Sequence, residues 1–392
     1  MKKVPTKITL LLAATMTVMA GAIVAPSLPN ISKVFADTPH IDLLSKLVIT
    51  LPALFIATFS PVAGKIADRL GRMPLLLASL LLYALGGTTA YLMDNIYLIL
   101  LSRAVLGIAI AGIMTSVVTL AGDYFEGGER KSFLGLQGAA MATGGVVFVM
   151  LGGVLADISW RMPFLIYLLS LPVAVAAYAV LREPKLKEQA PQSTEKKKGF
   201  SMLPRITWLI YVNIFLGMIL FYMVPVQIPF LLKDLGIQQN YLSGVTIGVG
   251  TFFSAVASIS YRKLSQKLSF PAFFALAYLL IGIGYGLVSL ANGLVLVMAG
   301  LVVSGLGIGL LIPNTNIWLL SALPEQIRGF GTGIKGTFLF IGQFVSPIAI
   351  RPLVEAYSLS AAFGLAIIPA AVLSLAFTVL HLRSKRKQHQ VA

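Results

Sequence analysis

Residues 43–92 read LLSKLVITLPALFIATFSPVAGKIADRLGRMPLLLASLLLYALGGTTAYL, two apolar runs joined by the charged stretch Gly64-Lys65-Ile66-Ala67-Asp68-Arg69-Leu70-Gly71-Arg72. A membrane-spanning helix needs about 20 mostly apolar residues, and each run supplies them. Lys and Arg in a short connection hold that connection on the cytoplasmic side of a membrane. The stretch therefore reads as two spanning helices with their joint inside the cell.

The rest of the chain repeats the pattern. Segments of this kind occur at about 8–28, 43–63, 73–92, 96–121, 132–155, 162–181, 206–230, 242–261, 271–290, 294–321, 330–350 and 360–381. Apolar residues make up 57% of the 392 and charged residues only 11%, against about 25% charged in a typical soluble domain. Lipid must solvate much of this surface. The net charge of +16 does not point to nucleic acid. The basic residues cluster in alternate connections, such as Arg130-Lys131 and Arg262-Lys263-Lys267, and in the tail Arg383-Ser384-Lys385-Arg386-Lys387. Connections between them, such as Asp94-Asn95, are short and nearly uncharged. Both termini are expected in the cytoplasm. Met1-Lys2-Lys3 before an apolar run resembles a signal peptide, but the run is long enough to span and the repeat needs it as a first helix. There is no Cys and only three His, so disulfides, thiol chemistry and a metal centre are not expected. No phosphate-binding G-x-x-x-x-G-K-[ST] motif is present, so ATP is not the direct energy source.

The longest polar segment, 182–205, carries Lys196-Lys197-Lys198 and divides the chain into halves, 1–181 and 206–392. It is expected to be a cytoplasmic linker. An internal repeat supports the division. One constant offset lays Arg130 on Arg328, Gly135 on Gly333, Gly138 on Gly336, Gly144 on Gly342 and Gln137 on Lys335. Paired prolines also mark the first helix of each half, Pro26 and Pro29 against Pro225 and Pro229. The expected fold is all-α, twelve transmembrane helices in two pseudo-symmetric six-helix bundles, with a substrate site near the midplane.

Gly64 to Arg72 resembles the loop motif of the major facilitator superfamily, G-x-L-a-D-r-x-G-r. Gly64, Asp68, Arg69, Gly71 and Arg72 fall on its fixed positions. The resemblance covers the whole chain and comes nearest to the twelve-helix drug:proton antiporters. Arg103 with Gly107 resembles that branch's R-x-x-x-G in helix four. Asp123 resembles the acid that joins the loop motif's charge network, and Trp160-Arg161-Met162-Pro163-Phe164 resembles its W-R-x-x-F. The resemblance implies conformational gating by the loop motif with Asp123, with Asp68 meeting the start of helix eleven at Gly329 to Gly333. It also implies a role for Arg103 in proton coupling. One departure bears on antiport and not on fold. The branch's G-x-x-x-G-P-x-x-G-G in helix five keeps Gly144, Gly152 and Gly153 here, but Phe148-Val149 replaces the Gly-Pro pair.

Read residue by residue, Arg103 lies well inside a span, where a charge costs at least about 2.5 kcal/mol on insertion scales. It either lines an aqueous cavity or is a structural arginine bonded to carbonyls of helices one or two. Gln137, Lys335 and Gln343 are further candidates for coupling or for lining the cavity, and Lys335 is also shallow enough to snorkel. Asn213, Tyr222, Gln227, Asn314 and Asn316 are candidates for substrate binding or for interhelical hydrogen bonding. No acid falls near the middle of a span, so a cation-selective cavity with a buried carboxylate is not expected. The expected function is secondary transport, as proton-coupled efflux of small neutral, anionic or largely apolar compounds from a bacterial cell across its inner membrane. The chain is expected to act as a monomer. Uptake or facilitated passage of a neutral or anionic metabolite is the alternative. An intramembrane enzyme or receptor is more remote, because the chain has no nucleophile–base set. No cofactor, metal or nucleic acid is expected.

Overall fold

The computed structural model describes residues 3–184 and 200–391, all of it helix and short connections without a strand. Among these residues twelve helices are long and apolar enough to cross a membrane. They are α1 (Val4–Val34), α2 (Ile41–Leu70), α3 (Arg72–Leu92), α4 (Ile96–Tyr124), α5 (Gly127–Ile158), α6 (Met162–Val180), α7 (Arg205–Asp234), α8 (Asn240–Leu264), α9 (Phe270–Ser289), α10 (Leu294–Ala322), α11 (Glu325–Ala356) and α12 (Leu359–Ser384). Most of the expected linker, residues 185–199, lies outside the described residues.

The helices run past the apolar segments that announce them. α2 continues to Leu70, so Gly64 to Leu70 are its last two turns and not a loop. Apolar patterning marks only the part in lipid, and a helix projecting into water keeps its hydrogen bonds without keeping the pattern. The prolines act differently in the two halves. In α1 the helix tightens at Pro26 into a 3-10 turn, Ala25–Ser27, before Leu28–Val34 resumes. In α7 both Pro225 and Pro229 sit inside one unbroken helix. α5, with Phe148-Val149 in place of a Gly-Pro pair, is continuous from Gly127 to Ile158.

The chain forms two compact units, Met1–Glu195 with Gln239–Val245, and Lys196–Gln238 with Thr246–Ala392. In the first, α1 packs on α5, α2 on α4, and α3 on α4 and α6. In the second, α7 packs on α11, and α9 on α10 and α12. The correspondence reaches single residues. A Cβ at Gly107 of α4 would stand 2.5 Å from the Pro52 carbonyl oxygen of α2. At the repeat offset, Gly305 of α10 meets the carbonyl of Gly250 on α8 in the same way. Gly86 of α3 faces the Ser102 carbonyl and Leu106 amide of α4, while Gly284 of α9 faces the Gly300 carbonyl and Ser304 amide of α10. The third helix of each unit is also tied to the first by a tyrosine. Tyr83 donates to the Met16 carbonyl at 2.6 Å and Tyr278 to the Asn213 carbonyl at 3.1 Å. Lipid offers little hydrophobic drive for helices to associate, so close backbone approach and interhelical hydrogen bonds must supply it.

Candidate functional site

The motif at 64–72 joins three helix ends. Gly71 turns the chain from α2 into α3 at φ +98°, a left-handed value that favours glycine. A Cβ there would also press to 3.0 Å against the Glu183 carboxylate. That carboxylate accepts from the backbone N–H of Arg72 at 2.9 Å and of Met73 at 2.7 Å. These are among the orphan donors of the α3 N-terminus, where negative charge is favoured. The Arg72 guanidinium pairs with Asp123 at the end of α4, 2.9 Å away. Beside it, the Tyr124 hydroxyl donates to the Arg182 carbonyl and accepts from the Arg182 N–H. The ends of α3 and α4 and the segment after α6 are thus held together. Asp68 and Arg69 are exposed, with no ion pair or hydrogen bond among the described residues.

Arg103 is completely enclosed, at 0% exposure. Its guanidinium donates to the carbonyls of Gly86 at 2.9 Å and Gly87 at 2.7 Å. Phe164 and Tyr167 of α6 lie with their ring centroids each 5.0 Å from it. Gly86 and Gly87 end the α-helical part of α3, which turns 3-10 at Thr89. Their carbonyls are therefore at the negative end of a helix, a place that favours a cation. The arrangement is that of an arginine bonded to helix carbonyls, on α3 and not on α1 or α2. Arg161 wraps the same end of α3, donating to the Tyr91 and Met93 carbonyls and pairing with Asp94.

In the second unit the candidates separate into two kinds. Asn314 is fully buried and its amide is used on both sides, accepting from Tyr261 and donating to the Phe270 carbonyl. Asn213 accepts from Tyr278 at 2.8 Å. These two bind helices together. Lys335 and Asn316, by contrast, meet each other, the ammonium donating to the amide oxygen at 2.8 Å, and both are half-buried. Among the described residues, Gln343 donates to the Met218 sulfur, at 3.9 Å. Gln227 is 1% exposed, and both its amide atoms lack a partner among the described residues. Tyr222 stacks edge-on against Phe221. Gln137, in the first unit, is half-buried on α5.

The family profile of the Major Facilitator Superfamily matches residues 10–347, with a second match over 263–392. The chain belongs to the Major Facilitator Superfamily. It is a multi-pass membrane transporter of small molecules, not an enzyme. Among its relatives are the bacillibactin exporter of Bacillus subtilis, 26% identical over 84% of this chain and 85% of that protein, and the quinolone resistance protein NorA of Staphylococcus aureus, 24% identical over 79% and 81%. Among solved structures, the nucleoside transporter NupG superposes with a TM-score of 0.77 at 13% identity, covering 95% of this chain and 99% of that one. A D-xylose–proton symporter gives 0.74 at 15% identity, covering 96% and 98%.

Two acids of this superfamily transporter escaped sequence reading as site residues. Glu183 holds the α3 N-terminus, and its signal was its place, directly after α6 on the end that carries the 64–72 motif. Asp157, at the end of α5, accepts from the N–H groups of Asn240 and Tyr241. Nothing in sequence links positions so far apart.

Proposed function

We propose that this transporter exports small neutral or anionic, largely apolar compounds from a bacterial cell in exchange for protons, by alternating access around a midplane site. Both termini lie in the cytoplasm, and a single chain suffices. The observation that carries the charge preference is the Lys335–Asn316 pair. With Arg103 enclosed, Lys335 is a half-buried cation inside α11, and it leans on a neutral amide, not on an acid. Its other N–H donors are available to an anionic or carbonyl-bearing substrate. Every described acid sits in a connection or within about a turn of a span end, so a buried cation would find no counter-charge. The efflux direction rests on the exporter relatives.

Flux into and out of proteoliposomes under an imposed pH gradient, over a panel of neutral, anionic and cationic compounds, tests this reading. Anionic and neutral compounds are expected to outcompete monocationic dyes. Lys335→Ala is expected to cost an anionic substrate about tenfold in apparent affinity, the worth of one charge-assisted bond, with a smaller loss for a neutral one. Saturable export of a permanent cation such as ethidium would refute the charge argument. Flux only in the uptake direction would favour passage of a metabolite instead.

Gating is proposed for Asp68. It has no partner among the described residues, and Gly329 and Gly333 at the start of α11 have nothing within 4 Å of where a Cβ would stand. A carboxylate arriving at such a helix start is stabilised by its unpaired N–H groups. Asp68→Asn is expected to slow turnover more than it weakens binding and to raise the cytoplasmic accessibility of α2 and α11. Unchanged labelling of single cysteines placed there would remove the mechanism.

A further inference from the structure

α8 begins in an unusual way for a spanning helix. Its first turn, within residues 239–245, belongs to the first unit, while the same helix from Thr246 onward belongs to the second. Three sets of contacts fix that first turn to the end of α5. The Asp157 carboxylate accepts from both leading N–H groups, Asn240 at 2.6 Å and Tyr241 at 3.0 Å. The Asn240 side chain returns a hydrogen bond to the Ala156 carbonyl at 3.1 Å. Below them the two backbones touch. A Cβ on Gly153 would lie 2.8 Å from the Asn240 carbonyl oxygen, and one on Gly244 would lie 2.6 Å from the Val149 carbonyl oxygen.

The carboxylate contact is of the same kind as the Glu183 cap on α3, but here it joins α5 to α8. A carboxylate bridging two N–H groups at a helix start combines charge-assisted hydrogen bonds with the helix dipole. Asp157 itself is exposed and has no ion-pair partner among the described residues, so its whole bonding is given to this one helix end. The nearest basic side chain along the chain, Arg161, is committed to Asp94 and to carbonyls of α3. Meanwhile Ser243 and Thr246, at helical spacing from Asn240, are buried with hydroxyls that lack partners among the described residues. Ser243 lies within the turn whose neighbours Asn240, Tyr241 and Gly244 meet α5.

The geometry points to Asp157 as a positioning residue of the transport cycle, whose carboxylate clamps the first turn of α8 onto the end of α5 and must release and re-form as the cycle proceeds. The inference rests on the alternating-access reading above, but not on the substrate or on proton coupling. Every alternating-access step that carries α8 away from α5 must break two charge-assisted bonds at once and separate two glycine-lined backbones. The clamp sits on the face opposite the 64–72 motif, since α5 starts at the end where α4 finishes.

The chain has no native Cys, so Ser243→Cys alone, at 1% exposure in the parent, reports release of the clamp. The full chain is reconstituted in vesicles, and labelling by an impermeant maleimide is timed from the face carrying Asp157. Asp157→Asn is expected to raise the labelling rate about threefold to tenfold and to lower maximal flux with little change in the half-saturating concentration. Asp157→Glu is expected to restore both. Gly153→Ala, which wedges the backbones apart without touching the carboxylate, is expected to raise labelling in the same direction. Parental labelling in both Asp157→Asn and Gly153→Ala overturns the proposal. Failure of Asp157→Glu to restore what Asp157→Asn loses does the same. Should Asp157→Asn fail to fold, Gly153→Ala alone decides. The labelling needs neither substrate nor a pH gradient, so the clamp can fail while the transport reading stands, and the reverse.

Discussion

Gly107→Ala is expected to destabilise the protein by about 3 kcal/mol, while Gly138→Ala leaves it unchanged or slightly more stable. Both exchanges add one methyl to a helix, where Ala is ordinarily favoured over Gly by about 1 kcal/mol. They differ in what the methyl meets. At Gly107 it stands 2.5 Å from the Pro52 carbonyl oxygen, 2.9 Å from the Pro52 Cα and 2.8 Å from the Phe55 Cβ. Two of these are backbone atoms of α2, so relief requires α2 and α4 to separate, and overpacking of this kind costs about 1–3 kcal/mol and sometimes more. At Gly138 nothing lies within 4 Å. The repeat adds an internal control, because Gly305→Ala should fail in the same way against Gly250 on α8. Thermal melting of the purified variants in detergent decides it. Equal melting of Gly107→Ala and Gly138→Ala would mean that the α2–α4 crossing is looser than described.

The same glycines show what could be read from sequence and what could not. The twelve spans were legible because lipid imposes length and hydropathy on each segment, and the duplication because Arg130 and several glycines recur at one constant offset. Gly135, Gly138 and their counterparts revealed the offset, yet they have open space around them. The glycines that carry the symmetry of packing are Gly86, Gly107, Gly284 and Gly305. A sequence shows a Gly without showing what stands opposite. The polar candidates were harder for a related reason. Asn314 and Asn316 are two residues apart, so they point to different sides of α10. One is consumed by Tyr261 and Phe270 and the other meets Lys335. Glu183 and Asp157 were recognisable as acids at span ends, but a carboxylate that caps another helix takes its meaning from that helix, which no local pattern names.

Arg103→Ala is expected to lose both stability and transport, while Arg103→Leu keeps most of the stability and still loses transport. The enclosed guanidinium costs about 2.5–3.5 kcal/mol to hold in a span on insertion scales. Its two bonds to the Gly86 and Gly87 carbonyls offset this by about 1.5–3 kcal/mol each, and the Phe164 and Tyr167 faces add up to about 2 kcal/mol when desolvated. Alanine forfeits these gains and leaves a cavity between the rings, for a net loss of about 2–4 kcal/mol. Leucine removes the charge and its cost together and fills much of the space. The second unit has already made this exchange. At the repeat offset Leu301 stands for Arg103 and Tyr285 for Gly87, and Tyr285 packs on Phe363 while donating to the Leu220 carbonyl. A four-helix crossing of this kind therefore forms without a guanidinium, so packing alone does not require one in the first unit. Arg103→Lys should recover part of the flux at most, because an ammonium on a shorter stem lacks the planar group that lies against the Phe164 and Tyr167 rings while one of its nitrogens donates to both carbonyls. Melting temperatures together with proteoliposome flux separate the outcomes. Parental flux in Arg103→Leu would make the arginine a purely structural residue, and parental melting in Arg103→Ala would mean that its carbonyl bonds contribute no net stability.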